Sequence, residues 1–362
     1  MGRSRNEMTR TLPGADPAPA TKRTPSGYDP PSGHETTGLG TNLTDTSPIY
    51  VNVDNFVRAE TDRMFGDIQR DAGGANRFRH NRAAASIDEQ TVVRLNRDTL
   101  YSFAIVDVSA GATLTLPDAG PKYLSAMVVN NDHLVTSIHH EPGAHVLDPE
   151  AVGTGFALVA VRILVDPGDP ADLAAVAALQ DQITISSKAD GSFAHPAYDS
   201  VSMDATRRAL LDLAAGLRGF DRMFGTHDQI DPVRHLIGTA AGWGGLPTTE
   251  AAYIGVEPDR SLGDCQLTLA DVPVDGFWSV SVYNREGFFK KNPYDLYSVN
   301  SVTATPNDDG SVTVRFVTGE PVGLNSIPVP DGWNFLVRLY RPRPAVLDGT
   351  WALPPLSPVT TD

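Results

Sequence analysis

Two blocks of short β-type runs, parted by a helical stretch, constrain this chain more than any other feature. The first block comprises residues 91–95, 101–108, 112–116, 122–130, 133–139 and 156–165. Each run is rich in Val, Ile, Leu, Thr or aromatic residues. Pro, Gly, Asp and Asn punctuate the gaps, the pattern of strands joined by turns. The second block holds "FWSVSVYN" (277–284), "SVTATPNDDGSVTVRF" (301–316) and "WNFLVRLYRP" (333–342). The middle member reads as a hairpin, two Val/Thr-rich runs about an Asp309-Gly310 turn.

Between the blocks the period changes. "DPGDPADLAAVAALQDQI" places Asp169 as a cap and Pro170 at the first helical position, where its missing N–H costs nothing. "SMDATRRALLDLAAGLRGFDRMFG" continues as a second helix, and Asp231-Pro232 repeats the start signal. Upstream of both blocks, Val53, Phe56, Val57, Met64, Phe65 and Ile68 recur at helical spacing until Gly73-Gly74. These patterns predict an α+β, β-rich fold. Two β domains, the C-terminal one a β-sandwich or jelly-roll-like fold, are joined by a helical middle segment. The organisation expected is a flexible tail over 1–47, a β-rich domain with a leading helix over 48–166, a helical segment over 167–240 and the second β domain over 241–362. The tail is rich in Pro, Gly, Thr and Ser, and too poor in large apolar side chains to offset its ordering entropy.

Charge narrows the partners. Lys and Arg number 29 against 44 Asp and Glu, a formal net charge of −15. Such a surface repels phosphate backbones and anionic membranes, so the expected partner is a small-molecule ligand rather than nucleic acid or a bilayer. A homo-oligomer is compatible with the composition. Cys265 is the only cysteine, so no intrachain disulfide forms. No run reaches membrane-spanning length, and Arg3 and Arg5 are not followed by an apolar signal region. The expected compartment is the cytoplasm.

Two polar clusters echo one another, one in each β block: Asn96-Arg97-Asp98 with Tyr101-Ser102, and Tyr283-Asn284-Arg285 with Tyr297-Ser298 and Asn300. As a site, Arg97 would clamp an anionic group with its planar fork, and Tyr101, Tyr283, Asn284, Tyr297 and Asn300 would supply further substrate contacts. Asp98 and His133 are the candidate proton-transfer, hence catalytic, residues. As structure, the same asparagines and aspartate form turns that satisfy their own backbone. "NNDHLVTSIHHEPGAH" concentrates histidines, and His133, His139 and Glu141 are of the right type for metal ligands. There is no HExxH, however, so no metal or other cofactor is expected. "GTAAGWGGLP" (238–247) lacks the Lys-Ser/Thr of a phosphate loop and reads as a linker held by Trp243 or as a pocket wall.

Longer stretches resemble a known family. "VNVDNFVRAETDRMF", "LNRDTLYSFAIVD" and "LTLPDAGPKYLSAMVVNNDH" resemble the N-terminal member of a paired bacterial family, domain of unknown function 1254. "FWSVSVYNREGFF", "YSVNSVTATPNDDGSVTVRF" and "WNFLVRLYRPRPAVLDGTWALPPL" resemble its usual C-terminal companion, domain of unknown function 1214. The resemblance spans roughly residues 50 to 356 and implies a β-rich, two-domain protein; it supplies no reaction and no catalytic residues. Many members look exported, and this chain departs from them in showing no signal region. The expectation from the residues is a small-molecule enzyme, hydrolysis preferred, acting on a polar or anionic substrate in an interdomain pocket. The alternative is a non-catalytic ligand-binding or assembly protein whose polar clusters are structural.

Overall fold

The helix expected upstream of the first β block is α1, Phe56–Ala72; Phe56, Ala59 and Phe65 are buried on one face. It ends where Gly73 takes φ 76°, a left-handed conformation that suits glycine, and returns its N–H to the Arg70 carbonyl. This computed structural model describes residues 47–359, apart from 91, 92 and 218 and the side chain of Arg260. The tail expected over 1–47 therefore lies outside the described residues, Ser47 excepted.

The first β block gives β1 (Arg79–His80), β2 (Thr99–Asp107), β3 (Ala112–Leu116), β4 (Leu124–Asn130), β5 (Val135–His139), β6 (Gly143–Leu147) and β7 (Phe156–Leu164), with a one-turn α2 (Pro149–Val152) before β7. After it come α3 (Pro170–Gln180), β8 (Thr184–Ser187), α4 (Ser200–Ala214) and α5 (Pro232–Gly242). The Asp-Pro starts act as read: Asp169 accepts from the Ala171 N–H, and Asp231 from those of Val233 and Arg234. The second block gives β9 (Ala251–Val256), β10 (Cys265–Leu269), β11 (Trp278–Tyr283), β12 (Ser298–Asn300), β13 (Val312–Val317), β14 (Ser326–Pro328) and β15 (Asn334–Tyr340). A short α6 (Pro344–Leu347) and β16 (Ser357–Pro358) close the chain. No helix among the described residues is long and apolar enough to cross a membrane.

The strands form four sheets. Their orders are β1-β2-β7-β4-β5 and β6-β3-β8 in the N-terminal half, and β12-β11-β15-β9 and β14-β13-β10-β16 in the C-terminal half. The fold is α+β with two β-rich parts, as expected, and every pairing is antiparallel except β13 with β14. In the C-terminal part the two four-stranded sheets enclose a common core that includes Val280, Val314, Phe316, Phe335 and Val337, a sandwich. Two expected strands are missing: of the run 91–95, the described residues 93–95 form turn and coil, and the first arm of the expected hairpin is absent. Residues 302–305 do not pair across the Asp309-Gly310 turn, because the Asn300 side chain accepts from the N–H groups of Val302 and Thr303 at 3.0 and 2.9 Å. That local bond offers the backbone a turn in place of a ladder.

The two β parts share a core. One apolar cluster joins Phe65, Ile105, Met127 and Leu158 to Leu246, Ala251, Phe277 and Tyr340. Cutting the chain would expose that surface on both sides, at about 25 cal/mol per Å². Separate expression of residues 48–235 and 236–362 is therefore expected to give aggregated or molten material. Two soluble fragments with cooperative melts would contradict this.

Candidate functional site

Three strands and a helix turn matching periodicities toward one space. Thr99, Tyr101 and Phe103 on β2, Leu158, Ala160 and Arg162 on β7, and Leu336, Arg338 and Tyr340 on β15 are each alternate residues and so share a strand face. Glu60, Arg63, Met64 and Ile68 follow helical spacing on α1. With Tyr253, the end of α5 and the Trp243–Leu246 loop, they line a cavity of about 660 Å³. This is within the size range of small-molecule sites.

The charges on the lining are unequally matched: Glu60 is held by Arg63 and Arg207, while other arginines have no acid of their own. Arg162 is 7% exposed and Arg338 2%, yet neither has a carboxylate within salt-bridge distance among the described residues, and nor does Arg94 on the same lining. Arg162 lies over the Tyr101 ring, 5.3 Å from its centroid, and donates to the Gly244 carbonyl at 3.1 Å. Its other terminal nitrogen is buried with no hydrogen-bond partner. Burial opposes the charge on Arg162, but the surrounding phenols of Tyr101, Tyr123, Tyr253 and Tyr340 favour it, and its pKa goes up. Arg338 donates to Ser281 at 2.9 Å, to the Tyr283 hydroxyl at 2.7 Å and to the Arg94 carbonyl at 2.7 Å. These are dipoles; the Asp98 carboxylate also favours the Arg338 charge, but from beyond ion-pair distance. A buried cation without a counter-charge is costly unless something anionic completes it.

Asn96 ties the two halves at this point. Its Oδ1 accepts from the Asp98 N–H at 3.0 Å, which turns the amide nitrogen outward. That nitrogen stands 3.0 Å from the Thr99 hydroxyl, 3.1 Å from Tyr101 and 3.2 Å from Tyr340 of the other β part. The two phenols diverge. For Tyr101, burial pushes the pKa up, but the Arg162 charge and hydrogen bonds from Asn96, Thr99 and Arg162 outweigh it, and the net direction is down. Tyr340 has the same burial without enough compensation and lies well above the ordinary tyrosine range.

Among the residues expected to form the site, Tyr101 lines the cavity; Arg97, Asp98, His133, Tyr283, Asn284, Tyr297 and Asn300 do not. Several of them nevertheless meet. Arg97 donates to the Ala85 carbonyl and lies over the Tyr297 ring at 5.4 Å. The Ser298 hydroxyl reaches Asp98 at 3.4 Å, and Tyr283 donates to the Leu95 carbonyl at 2.8 Å. The two echoing clusters thus stitch the β parts together beside the cavity. Asn284 accepts from the Phe288 N–H and Asn300 ends β12, both as turn residues.

His133 is enclosed. Its Nε2 accepts from the Gly244 N–H at 3.0 Å, so Nδ1 carries the proton and donates to Thr239 at 2.9 Å. The ring stacks on Trp243 at 5.3 Å and lies 5.1 Å from His235. Burial first, and the neighbouring His235 second, hold it well below the ordinary histidine range. His139 instead bonds Ser137 and packs against His145, and Glu141 accepts from His145 through its carbonyl. Among the described residues no group of three or more His, Cys, Asp or Glu is placed to hold a metal.

The residues that sequence reasoning passed over are Arg162, Arg338, Tyr253 and Tyr340. A signal was present for the arginines. "FALVAVRIL" and "NFLVRLY" are buried along almost their whole length, and each carries one arginine in an otherwise apolar run. A charge in such a run is either paired or functional.

Fold and site define a class: two β-rich parts closing on an arginine-lined cavity. Two family models of unknown function match parts of the chain, one in each β-rich part. Residues 75–144 match the model described as protein of unknown function DUF1254, and residues 259–344 match protein of unknown function DUF1214. The order is the one the sequence motifs implied. No curated protein matches the chain. Among solved structures it is similar to the VPA0106 protein from Vibrio parahaemolyticus, at 17% identity and a TM-score of 0.63, covering 86% of this chain and 100% of that one. This likeness shows a shared fold. An uncharacterized protein from Burkholderia cenocepacia is similar at 15% identity and a TM-score of 0.48, over 80% of this chain and 85% of its own.

Proposed function

We propose that this protein binds a small carboxylate-bearing organic molecule in the cavity between its β-rich parts. The observation that carries the reading is the set of Arg94, Arg162 and Arg338, without carboxylate partners among the described residues, on a lining that is otherwise mostly apolar and aromatic. In a chain of net charge −15, placing unpaired cations there concentrates positive potential at one point. The planar guanidinium matches a carboxylate geometrically. The aromatic walls, including Tyr101, Tyr253 and Trp243, favour a flat or apolar body on the ligand. The lining residues include no Ser, Cys or His, so the hydrolytic reading rests on the sequence clusters alone. The cytoplasm remains the compartment that suits a buried cysteine outside any disulfide at position 265.

Thermal melting against matched pairs of small aromatic and aliphatic carboxylates and their uncharged amides tests this. A ligand at 100 times its Kd adds about 2.7 kcal/mol of stability. The carboxylates are expected to raise Tm in a saturable way while the amides do not. Equal shifts for acid and amide, or none across the series, would overturn the reading.

A further inference from the structure

We propose that Tyr101 is the proton-transfer residue of this cavity: its phenolate takes a proton from the bound carboxylate-bearing molecule, with Arg162 as its counter-charge and Tyr340 as the un-ionised donor on the same amide. The inference deepens the binding reading above and rests on it for the identity of the substrate class.

Geometry is the first support. Tyr101 lines the cavity, and its oxygen faces the Asn96 amide nitrogen at 3.1 Å. That nitrogen cannot accept, because the Asn96 oxygen is already fixed on the Asp98 N–H. The guanidinium above the ring, that of Arg162, can only donate as well. The hydroxyls of Thr99 and Tyr340 also stand at this point, and both face the Asn96 nitrogen. The Tyr101 oxygen thus faces the Asn96 amide donor with the Arg162 cation over its ring, a setting that favours its ionised form. Charge is the second support: Arg162 has no carboxylate to neutralise it, and a phenolate at Tyr101 would supply the missing anion. The third is divergence. One amide serves two phenols, and their surroundings push Tyr101 down and Tyr340 up. Two titratable groups at one site, driven apart by environment, divide naturally into base and acid.

The chemistry that fits needs no co-reactant. The Tyr101 oxygen forms a bond to a proton on a carbon next to a carbonyl. The C–H electron pair moves into the C–C bond as the carbonyl π pair moves onto oxygen, giving an enolate. Tyr340 or Arg162 hydrogen-bonds that oxygen, and Tyr101 returns the proton to the same carbon or to another. The class is therefore tautomerisation or double-bond migration in a 2-oxo acid or related carboxylate.

Two measurements decide it. The first follows phenolate ultraviolet absorbance with pH in the ligand-free protein. One tyrosine is expected to ionise ahead of the others; the early step should vanish in Tyr101→Phe and return to the ordinary range in Arg162→Met. The second places phenylpyruvate in D2O with the protein and follows loss of its C–H signal by NMR. Tyr101→Phe should slow protein-dependent exchange at least roughly 100-fold while the probe still raises Tm. No early-ionising tyrosine, or exchange in Tyr101→Phe equal to wild type, overturns the proposal. Absence of any Tm shift by carboxylates would instead strike the binding reading, and the absorbance titration would still report on Tyr101.

Discussion

Replacing Arg162 with methionine is expected to give a protein of nearly natural stability that has lost its affinity for carboxylates. Two effects compete. The substitution removes a cation that is 7% exposed and has no carboxylate partner, and exchanging buried charge for an apolar side chain of similar volume is often neutral or stabilising by about 1–4 kcal/mol. Against this stand the bond to the Gly244 carbonyl and the ring contact with Tyr101, worth about 1.5–3 and 0.5–2 kcal/mol. The losses match or slightly exceed the gain, so urea midpoints should shift little. Binding has no such compensation. Loss of one partner from a buried charge pair costs about 2–5 kcal/mol, or roughly 30- to several-thousand-fold in Kd. Denaturant unfolding combined with carboxylate titration checks both halves. A large drop in stability with affinity preserved would make Arg162 a tie for the Gly244 loop, and the cavity would lose its main anion contact.

Reading the chain without its structure recovers the architecture well, and for a physical reason. Asp-Pro helix starts, the Gly73 stop and most of the strand runs are local signals, and these appear in the fold where the rules place them. The site is different in kind. Asn96 was noticed for its neighbours in sequence, but its partners are Tyr340, 244 residues away, and Tyr101. Arg162 and Tyr101 are direct cross-strand partners, as are Arg338 and Tyr253, and register is set by pairing that no short window contains. Sequence echo drew attention to Arg97 and Tyr297, which do meet; it could not reveal that they face one another rather than the cavity. Lone arginines in apolar strands proved a better pointer than the polar clusters, because burial is the unusual event for a charge, whereas Asn and Asp in loops commonly serve turns.

Stability is expected to fall as pH drops below about 6.5, and a definable part of that fall should belong to His133. The unfolded chain titrates this residue near 6.5. In the folded protein burial, aided by His235, holds it well below that value. Below 6.5 the unfolded state therefore gains a proton that the folded state does not, and stability rises with pH through this window by about 1.4 kcal/mol per unit. The structural cause is specific. Nε2 must stay unprotonated to accept from the Gly244 N–H, and the Trp243–Leu246 loop that it holds is a wall of the cavity. Protonation would set two donors face to face and loosen that wall. Asp107, held low by its bonds from Ser109 and Gly191, adds a further acid-side loss of its own, so the comparison must be differential. His133→Gln keeps one donor and one acceptor but does not titrate. Chemical denaturation of both proteins from pH 7.5 down to 4.5 should show the natural protein losing more stability, with the difference opening below about 6.5. Parallel curves for the two proteins, or a natural protein that gains stability on acidification relative to the variant, would show that His133 does not stay neutral in the fold.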